Sequence, residues 1–277
     1  MPKRRTATNS PSDQDGNDKQ QLLASTPPND VADRGGWFRA PKLLYFHQIP
    51  LWQQDNEYIL SGYRPTSEST WLSVASLSYL HNQTINAYSH LIGALIFVSL
   101  PYYFYEYVYK HQLHAEAIDL VVVSTYCSGV AICFIFSTAF HVNWNNSKEL
   151  TALCNKLDYL GILGSPKFRH WRACFYAGFG LSSIIFIVHG LVLHGWELQS
   201  SRMSLVWMGW MATSNLVGAA IYATRVPERW APYRFDLCGA SHQLFHIFII
   251  AAAVIHFDGL VVAFRIIKSD QSPCQGS

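Results

Sequence analysis

The chain has 277 residues, of which half are apolar, and its formal net charge is +2 at pH 7. Aromatic residues are as common as charged residues, at 14% each, and the Lys and Arg residues lie between apolar runs instead of along one stripe. This pattern argues against a nucleic-acid-binding protein, so we predict no nucleic-acid partner, and it favours a membrane protein.

The first segment, residues 1–36, is rich in Ser, Asp, Asn, Gln, Lys and Pro and holds few large apolar residues. Such a segment buries too little apolar surface to fold, so we predict a disordered tail. The short basic start is not followed by an apolar core, which argues against a signal peptide. A second segment of mixed composition, residues 37–89, leads to the first long apolar run.

Five apolar runs are long enough to cross a bilayer, which takes about 20 residues each. They comprise residues 90–109, 118–140, 173–193, 204–223 and 244–264. The alternative, a soluble protein with buried helices, is disfavoured because five such runs occur in one chain. We predict an all-α, polytopic bundle of five transmembrane helices over residues 90–264, followed by a short tail, residues 265–277.

The distribution of Lys and Arg predicts the orientation of this bundle. The segments before span one, between spans two and three, and between spans four and five carry 8, 5 and 3 of these residues. The alternate segments carry 1, 1 and 2. Because positive residues are kept on the cytoplasmic side, we expect residues 1–36 and 37–89 inside and the C-terminal tail outside.

Three histidines are then expected at one membrane depth. His141 ends span two, and His242 and His246, which lie four residues apart on one helical face, begin span five. Three His ligands with a fourth open position are typical of a catalytic zinc. Ser137 lies one turn before His141, and Asp158 follows in the same cytoplasmic segment, where a carboxylate could orient a zinc-bound water. The alternative is a set of polar residues at helix ends without a metal.

Other histidines do not share this depth. His189, His194 and His256 fall near the outer ends of spans three and five, where interfacial side chains with hydrogen-bonded partners are the simpler interpretation, and a second site among them stays open. Leu150, Leu153, Leu157 and Leu160 share one helical face, which is typical of an amphipathic helix in the membrane interface.

Three ordered motifs resemble the adiponectin-receptor-like family, also called the progestin and adipoQ receptors or haemolysin-III-related proteins, and most closely its fungal members. The resemblance covers about residues 45–264. The first motif comprises Gly62-Tyr63-Arg64-Pro65, His81-Asn82-Gln83-Thr84 and Ser89-His90-Leu91-Ile92-Gly93. The second joins Ser137–His141 to Leu157-Asp158-Tyr159, and the third joins Pro227-Glu228-Arg229-Trp230 to Ser241-His242-Gln243 and His246.

The resemblance implies seven spans, an inside N-terminus and a zinc ion held by His141, His242 and His246. It also implies that Asp158 holds the zinc-bound water and that Ser137 supports the site. Members of the family are receptors or sensors in lipid and sterol signalling, some hydrolyse ceramide, and fungal members act in zinc and membrane homeostasis. We therefore expect membrane lipids, with ceramide or sterol among them, and an unidentified protein ligand as partners, in the plasma membrane or an endomembrane such as the endoplasmic reticulum.

The sequence departs from the family pattern in one place. The Leu157-Asp158-Tyr159 motif, which opens a third span in the family, passes almost directly into residues 165–169, so two spans with their connection are missing. A mis-spliced or misannotated transcript is the favoured explanation over a working five-span variant. Three functions stay open: a zinc-dependent hydrolase of ceramide-like amides, a receptor with structural zinc, and a non-functional truncated product. A transporter is disfavoured because no chain of charged residues lines the spans.

Overall fold

The computed structural model of the protein describes residues 41–158 and 169–269. The predicted disordered tail, residues 1–36, lies outside the described residues, as do residues 270–277 of the predicted outer tail. Over the described ranges the regular structure is helical, apart from one isolated bridge between Leu44 and Tyr63. The all-α fold class is therefore confirmed.

Seven α-helices are present in the described part of the chain. In chain order they are α1 (Thr70–Ala75), α2 (Thr84–Tyr107), α3 (Ala117–Asn143), α4 (Lys148–Asp158), α5 (Arg169–Met203), α6 (Leu205–Thr224) and α7 (Ser241–Ser269). Single turns of 3-10 helix lie at Phe46–Gln48, Leu51–Gln53, Ser76–Ser78 and Tyr109–His111.

Each of the five predicted spans overlaps a long helix, although residues 90–109 and 204–223 extend one or two residues beyond α2 and α6. Three described helices are long and apolar enough to cross a membrane: Thr84–His111, which is α2 with its following turn, α3 and α7. Helix α6 contains the polar residue Asn215, and α5 is kinked at Gly195, whose φ is 75°. The number of spans and the orientation of the termini stay predictions.

The three helices that are long and apolar enough to span a membrane share one apolar core. Buried side chains from α2, α3 and α7, among them Phe97, Phe134 and Phe257, form a single cluster. Gly93 of α2 allows the helices to approach closely, because a Cβ atom there would lie 2.9 Å from Phe134 and 3.3 Å from Ile250. This close approach brings one turn of each helix together at the end of the bundle where α3 ends and α7 begins.

Residues 41–83 pack over that end of the bundle. A small apolar cluster of Ile49, Ile59, Tyr63 and Ala240 joins this segment to the start of α7. Polar contacts add to it, since the Ser61 hydroxyl donates to Asp236 at 2.6 Å and Gln53 donates to the Trp144 carbonyl at 3.4 Å. The segment thus covers the polar turns that begin α2 and α7 and end α3.

The segment predicted as an amphipathic helix forms α4 up to Asp158, and part of the predicted outer tail continues α7. In α4, Thr151 and Cys154 are buried while Leu153 and Leu157 are exposed, so these leucines point away from α3. Leu160 lies outside the described residues.

The predicted tail begins inside α7, because the helix continues to Ser269. Lys268 in this last turn pairs with Asp119 at 2.9 Å, which ties the end of α7 to the start of α3.

Candidate metal centre

Three histidine side chains meet where α3 ends and α7 begins. His141 comes from the last turn of α3, and His242 and His246 from the first turns of α7. One ring nitrogen of each lies within 4.8 Å of the other two, and Nε2 of His141 lies 3.4 Å from Nε2 of His242. His141 and His246 are almost fully buried, at 1% and 2% exposure. The structure thus brings together the three histidines that the sequence predicted.

Hydrogen bonds with Gln83, which caps α2, and with Ser89 in α2 orient two of these rings. Nδ1 of His141 lies 2.8 Å from Oε1 of Gln83, an amide oxygen that only accepts, so Nδ1 carries the hydrogen. Nδ1 of His246 lies 3.2 Å from the Ser89 hydroxyl, which itself donates to the Asn86 carbonyl. The Ser89 oxygen is therefore the acceptor for His246. Both histidines consequently present an Nε2 lone pair to the centre of the cluster.

This arrangement fits a tetrahedral metal ion. Zinc–nitrogen bonds of about 2.0–2.1 Å place two tetrahedral ligands about 3.3 Å apart, close to the 3.4 Å between His141 and His242. The wider separations, up to 4.8 Å, require side-chain movements of about 1 Å. A histidine ligand with its second nitrogen bonded to an oxygen acceptor is the usual form of a zinc site, because that bond orients the ring.

Ser137 and Asp158, the predicted catalytic residues, also contact each other. The Ser137 side chain is buried on α3, one turn before His141, and forms a hydrogen bond with the Asp158 carboxylate at the end of α4. Burial raises the pKa of Asp158 to about 6, while the bond from Ser137 acts in the opposite direction. The carboxylate therefore titrates near neutrality, although its role toward a metal stays a prediction.

A buried arginine holds the end of α3. Arg64 is 2% exposed and donates to the His141 carbonyl at 2.8 Å and to the Val142 carbonyl at 2.9 Å. A third bond goes to the Ser76 hydroxyl at 2.6 Å. Burial lowers the pKa of Arg64 to about 10, which leaves the guanidinium charged at neutral pH. A cation at the C-terminal end of a helix satisfies carbonyls that have no partner within the helix.

A buried glutamate holds the start of α7. Glu228 is fully buried and accepts hydrogen bonds from the Ser241 backbone N–H at 2.7 Å, from the Ser241 hydroxyl, and from Asn56 at 3.0 Å. An anion at a helix N-terminus is stabilised by the free N–H groups there. Because His242 directly follows Ser241, this contact fixes the turn that carries two of the three histidines.

The sequence drew attention to the stretches that contain Gln83, Ser89, Arg64 and Glu228, but it assigned none of them a role at the site. His81 belongs to the same group: it accepts from the Gln83 backbone N–H at 3.1 Å, and burial, reinforced by the charge of Arg64, lowers its pKa to about 3. In the sequence these residues appear only as polar or charged residues near helix ends. Their role at the site can be recognised only once the structure shows that their side chains are buried.

The comparison with known protein families gives two consecutive matches to one family model, described as haemolysin-III related, over residues 78–165 and 163–257. Together they cover more than half of the chain and include all three histidines. The chain belongs to the haemolysin-III-related family. The sequence resemblance is confirmed, and with it the classification as an adiponectin-receptor-like membrane protein.

Individual relatives agree with this assignment. The chain is 31% identical to the adiponectin receptor protein of Drosophila melanogaster, over 84% of this chain and 63% of that protein. It is also 31% identical to the ADIPOR-like receptor IZH2 of Saccharomyces cerevisiae, over 82% of this chain and 85% of the yeast protein. Heptahelical transmembrane protein 1 of Arabidopsis thaliana is 28% identical, over 78% of this chain and 79% of that protein.

The same alignments contain positions that face no residue of this chain. The fly and yeast alignments extend over 281 and 275 positions but include only 84% and 82% of the 277 residues. On the order of 50 positions therefore face no residue of this chain, about the length of two membrane helices with a connection. The two family matches meet at residues 163–165, where the sequence motifs placed the missing segment.

Proposed function

We propose that the protein binds one zinc ion through His141, His242 and His246 and hydrolyses an amide-linked lipid of the ceramide class, as part of lipid signalling or membrane homeostasis. The convergence of three imidazoles, two of them buried and oriented by hydrogen bonds with Gln83 and Ser89, carries this proposal. The proposed site of action is the plasma membrane or the endoplasmic reticulum.

The residues support a division of roles within such a reaction. Zinc bound by three histidines supplies Lewis-acid polarisation of a carbonyl and lowers the pKa of a bound water to about 7. Asp158 titrates in the range suited to a general base, because burial raises its pKa to about 6. Ser137 orients that carboxylate through their hydrogen bond and so acts as a positioning residue.

A second candidate is a receptor in which the zinc is purely structural. The observation in its favour is that the histidines come from the ends of two helices, so that a metal would cross-link α3 and α7. Asp158→Asn separates the two proposals. If zinc is catalytic, this variant keeps its metal and loses most of its hydrolytic rate, whereas an active preparation with an unchanged rate contradicts the hydrolase.

The first experiment is to measure metal content in the 277-residue chain, purified in detergent, beside His246→Ala. We expect about one zinc per chain, lost in the variant, since a two-histidine site binds zinc much more weakly. His256→Ala is the matched control, because His256 lies in α7 but packs against Tyr126, away from the cluster. An intact chain without zinc would favour the third alternative, a truncated product that does not build the site.

Release of fatty acid from a short-chain ceramide measures the hydrolysis itself. The full chain in lipid nanodiscs is compared with Asp158→Asn at equal metal content. Zinc without hydrolysis in the intact chain would leave the structural role in place and refute the enzymatic one.

A further inference from the structure

Three polar residues on one face of α2, together with its N-cap residue Gln83, lie beside the histidine cluster. Gln83, Asn86, Ser89 and His90 are spaced so that they lie on neighbouring positions of one helical face. Gln83 and Ser89 bind His141 and His246. Asn86 and His90 are more deeply buried, at 4% and 6% exposure. The Asn86 backbone forms a hydrogen bond with His246, but among the described residues the Asn86 and His90 side chains form none with the three histidines.

The Asn86 amide belongs to the hydrogen-bond network around Gln83. Its Nδ2 donates to Oε1 of Gln83 at 2.8 Å, the same oxygen that accepts from His141. Oδ1 of Asn86 therefore points away from Gln83, and it has no hydrogen-bond partner within the described part of the chain. A buried acceptor is thus presented one turn from His90.

His90 lies between two aromatic rings. Its imidazole stacks on His246 with ring centroids 3.7 Å apart and an interplanar angle of 11°, and on Phe134 at 4.6 Å. Neither ring nitrogen has a hydrogen-bond partner over residues 41–158 and 169–269. A neutral imidazole always carries one N–H donor and one acceptor, so two polar atoms are buried without partners.

Stacking alone does not account for a histidine at this position. A phenylalanine would also fill the space between Phe134 and His246, without burying two unpaired polar atoms. More than nine in ten buried polar groups in native proteins have a hydrogen-bond partner. Three unpaired atoms on two neighbouring positions of one helix face, next to a candidate metal centre, are available for hydrogen bonds to a polar group from outside the chain.

We propose that Asn86 and His90 bind the ligand of the metal centre. His90 donates a hydrogen bond to an oxygen or anionic atom of the ligand, and Oδ1 of Asn86 accepts one from an N–H or O–H group. The ligand class is a molecule whose polar head carries both an acceptor and a donor, as a carboxamide does. This inference rests on the metal site proposed above and identifies residues that select its ligand.

Two small probes test the two hydrogen bonds separately. The full chain is loaded with Co²⁺ in detergent, and binding of azide and of acetohydroxamate is followed by the visible absorption of the cobalt. Azide accepts hydrogen bonds but has no donor, whereas acetohydroxamate has both an N–H and a carbonyl. The variants are His90→Phe, which keeps the aromatic stack, and Asn86→Leu, which keeps the side-chain volume. His256→Phe serves as the control outside the site, and cobalt content is measured for every variant.

We expect His90→Phe to keep one cobalt per chain and to bind both probes about ten- to hundredfold more weakly, the effect of losing a hydrogen bond to a charged group. Asn86→Leu should weaken acetohydroxamate alone. Equal probe binding by His90→Phe and the intact chain refutes the contact to His90, and so does loss of cobalt in that variant, because His90 would then support the metal itself. Equal weakening of both probes by Asn86→Leu refutes the contact to Asn86. An intact chain that binds no metal overturns this inference together with the proposed function.

Discussion

Gln83 offers the sharpest test of how the chain tunes its candidate metal centre. Its Oε1 lies 2.8 Å from Nδ1 of His141, and His141 is 1% exposed, so water cannot replace the amide. In Gln83→Leu, Nδ1–H of His141 loses its acceptor. Without metal the ring can move its hydrogen to Nε2, which faces His242, and so avoid part of the loss. With metal bound at Nε2 the hydrogen must stay on Nδ1, unpaired.

The expected loss follows from this difference. A buried donor left without a partner costs about 1–3 kcal/mol, and outer hydrogen-bond partners of metal ligands typically contribute ten- to hundredfold to affinity. We therefore expect Gln83→Leu to bind zinc ten- to hundredfold more weakly than the intact chain. Gln83→Glu keeps the oxygen acceptor and adds a negative charge, so its affinity should equal or exceed that of the intact chain.

Competition with a chromophoric chelator, on protein purified in detergent, measures these affinities. Gln112→Leu is the matched control, since Gln112 lies beyond the other end of α2. Thermal unfolding of the metal-free proteins checks that Gln83→Leu still folds. Unchanged zinc affinity in a folded Gln83→Leu protein would refute the argument that this amide sets the tautomer of His141.

Three further predictions concern the contacts that hold the site. Glu228→Ala should lower the free energy of unfolding by about 3–5 kcal/mol, because it leaves the Ser241 N–H and hydroxyl and the half-buried Asn56 amide without their acceptor. Thermal unfolding in detergent measures this loss, and a value below about 1 kcal/mol contradicts the capping role. Arg64→Lys should lower the melting temperature, because a single ammonium cannot reach the His141 and Val142 carbonyls and the Ser76 hydroxyl together. An unchanged melting temperature would contradict the role of the Arg64 guanidinium in holding these three groups. The rate of hydrolysis should fall as the pH drops through about 6, because Asp158 then becomes protonated. Ser137→Ala should move this fall in rate to higher pH, because the Ser137 hydrogen bond lowers the pKa of Asp158. A fall that stays at the same pH or moves to lower pH refutes the role assigned to Asp158.

The helices and the histidine cluster could be predicted from the sequence because they follow from apolar runs, residue spacing and the distribution of charge. Long apolar runs mark helices directly, and the charge asymmetry, together with the four-residue spacing of His242 and His246, was enough to expect His141 beside them. The structure brings these three side chains together, although their depth in a membrane is untested.

The starts of the helices were harder to predict. Hydropathy set the first and last spans at residues 90 and 244, whereas α2 begins at Thr84 and α7 at Ser241. The omitted turns are polar, and they fold as helix because residues 41–83 and Glu228 supply their hydrogen bonds. Hydropathy does not detect such a turn, because the residues that form hydrogen bonds with it are distant in the sequence. Ser89, which orients His246, lies in the omitted part of α2, and Gln83, which orients His141, is the residue that caps it.

The contacts that orient the histidines bear on the segment that relatives have and this chain lacks. Arg64 and Gln83 form hydrogen bonds with His141, and Ser89 forms one with His246. Glu228 accepts hydrogen bonds from the first residue of α7. None of these residues lies next to residues 163–165, where the two family matches meet. The same contacts are therefore available without two helices, and metal binding should survive their loss. Ser137 and Asp158 are different, because Asp158 ends α4 only a few residues before that point. Hydrolysis should consequently be more sensitive to the missing segment than metal affinity is, and restoring a segment of about 50 residues there should raise the hydrolytic rate with little change in zinc binding.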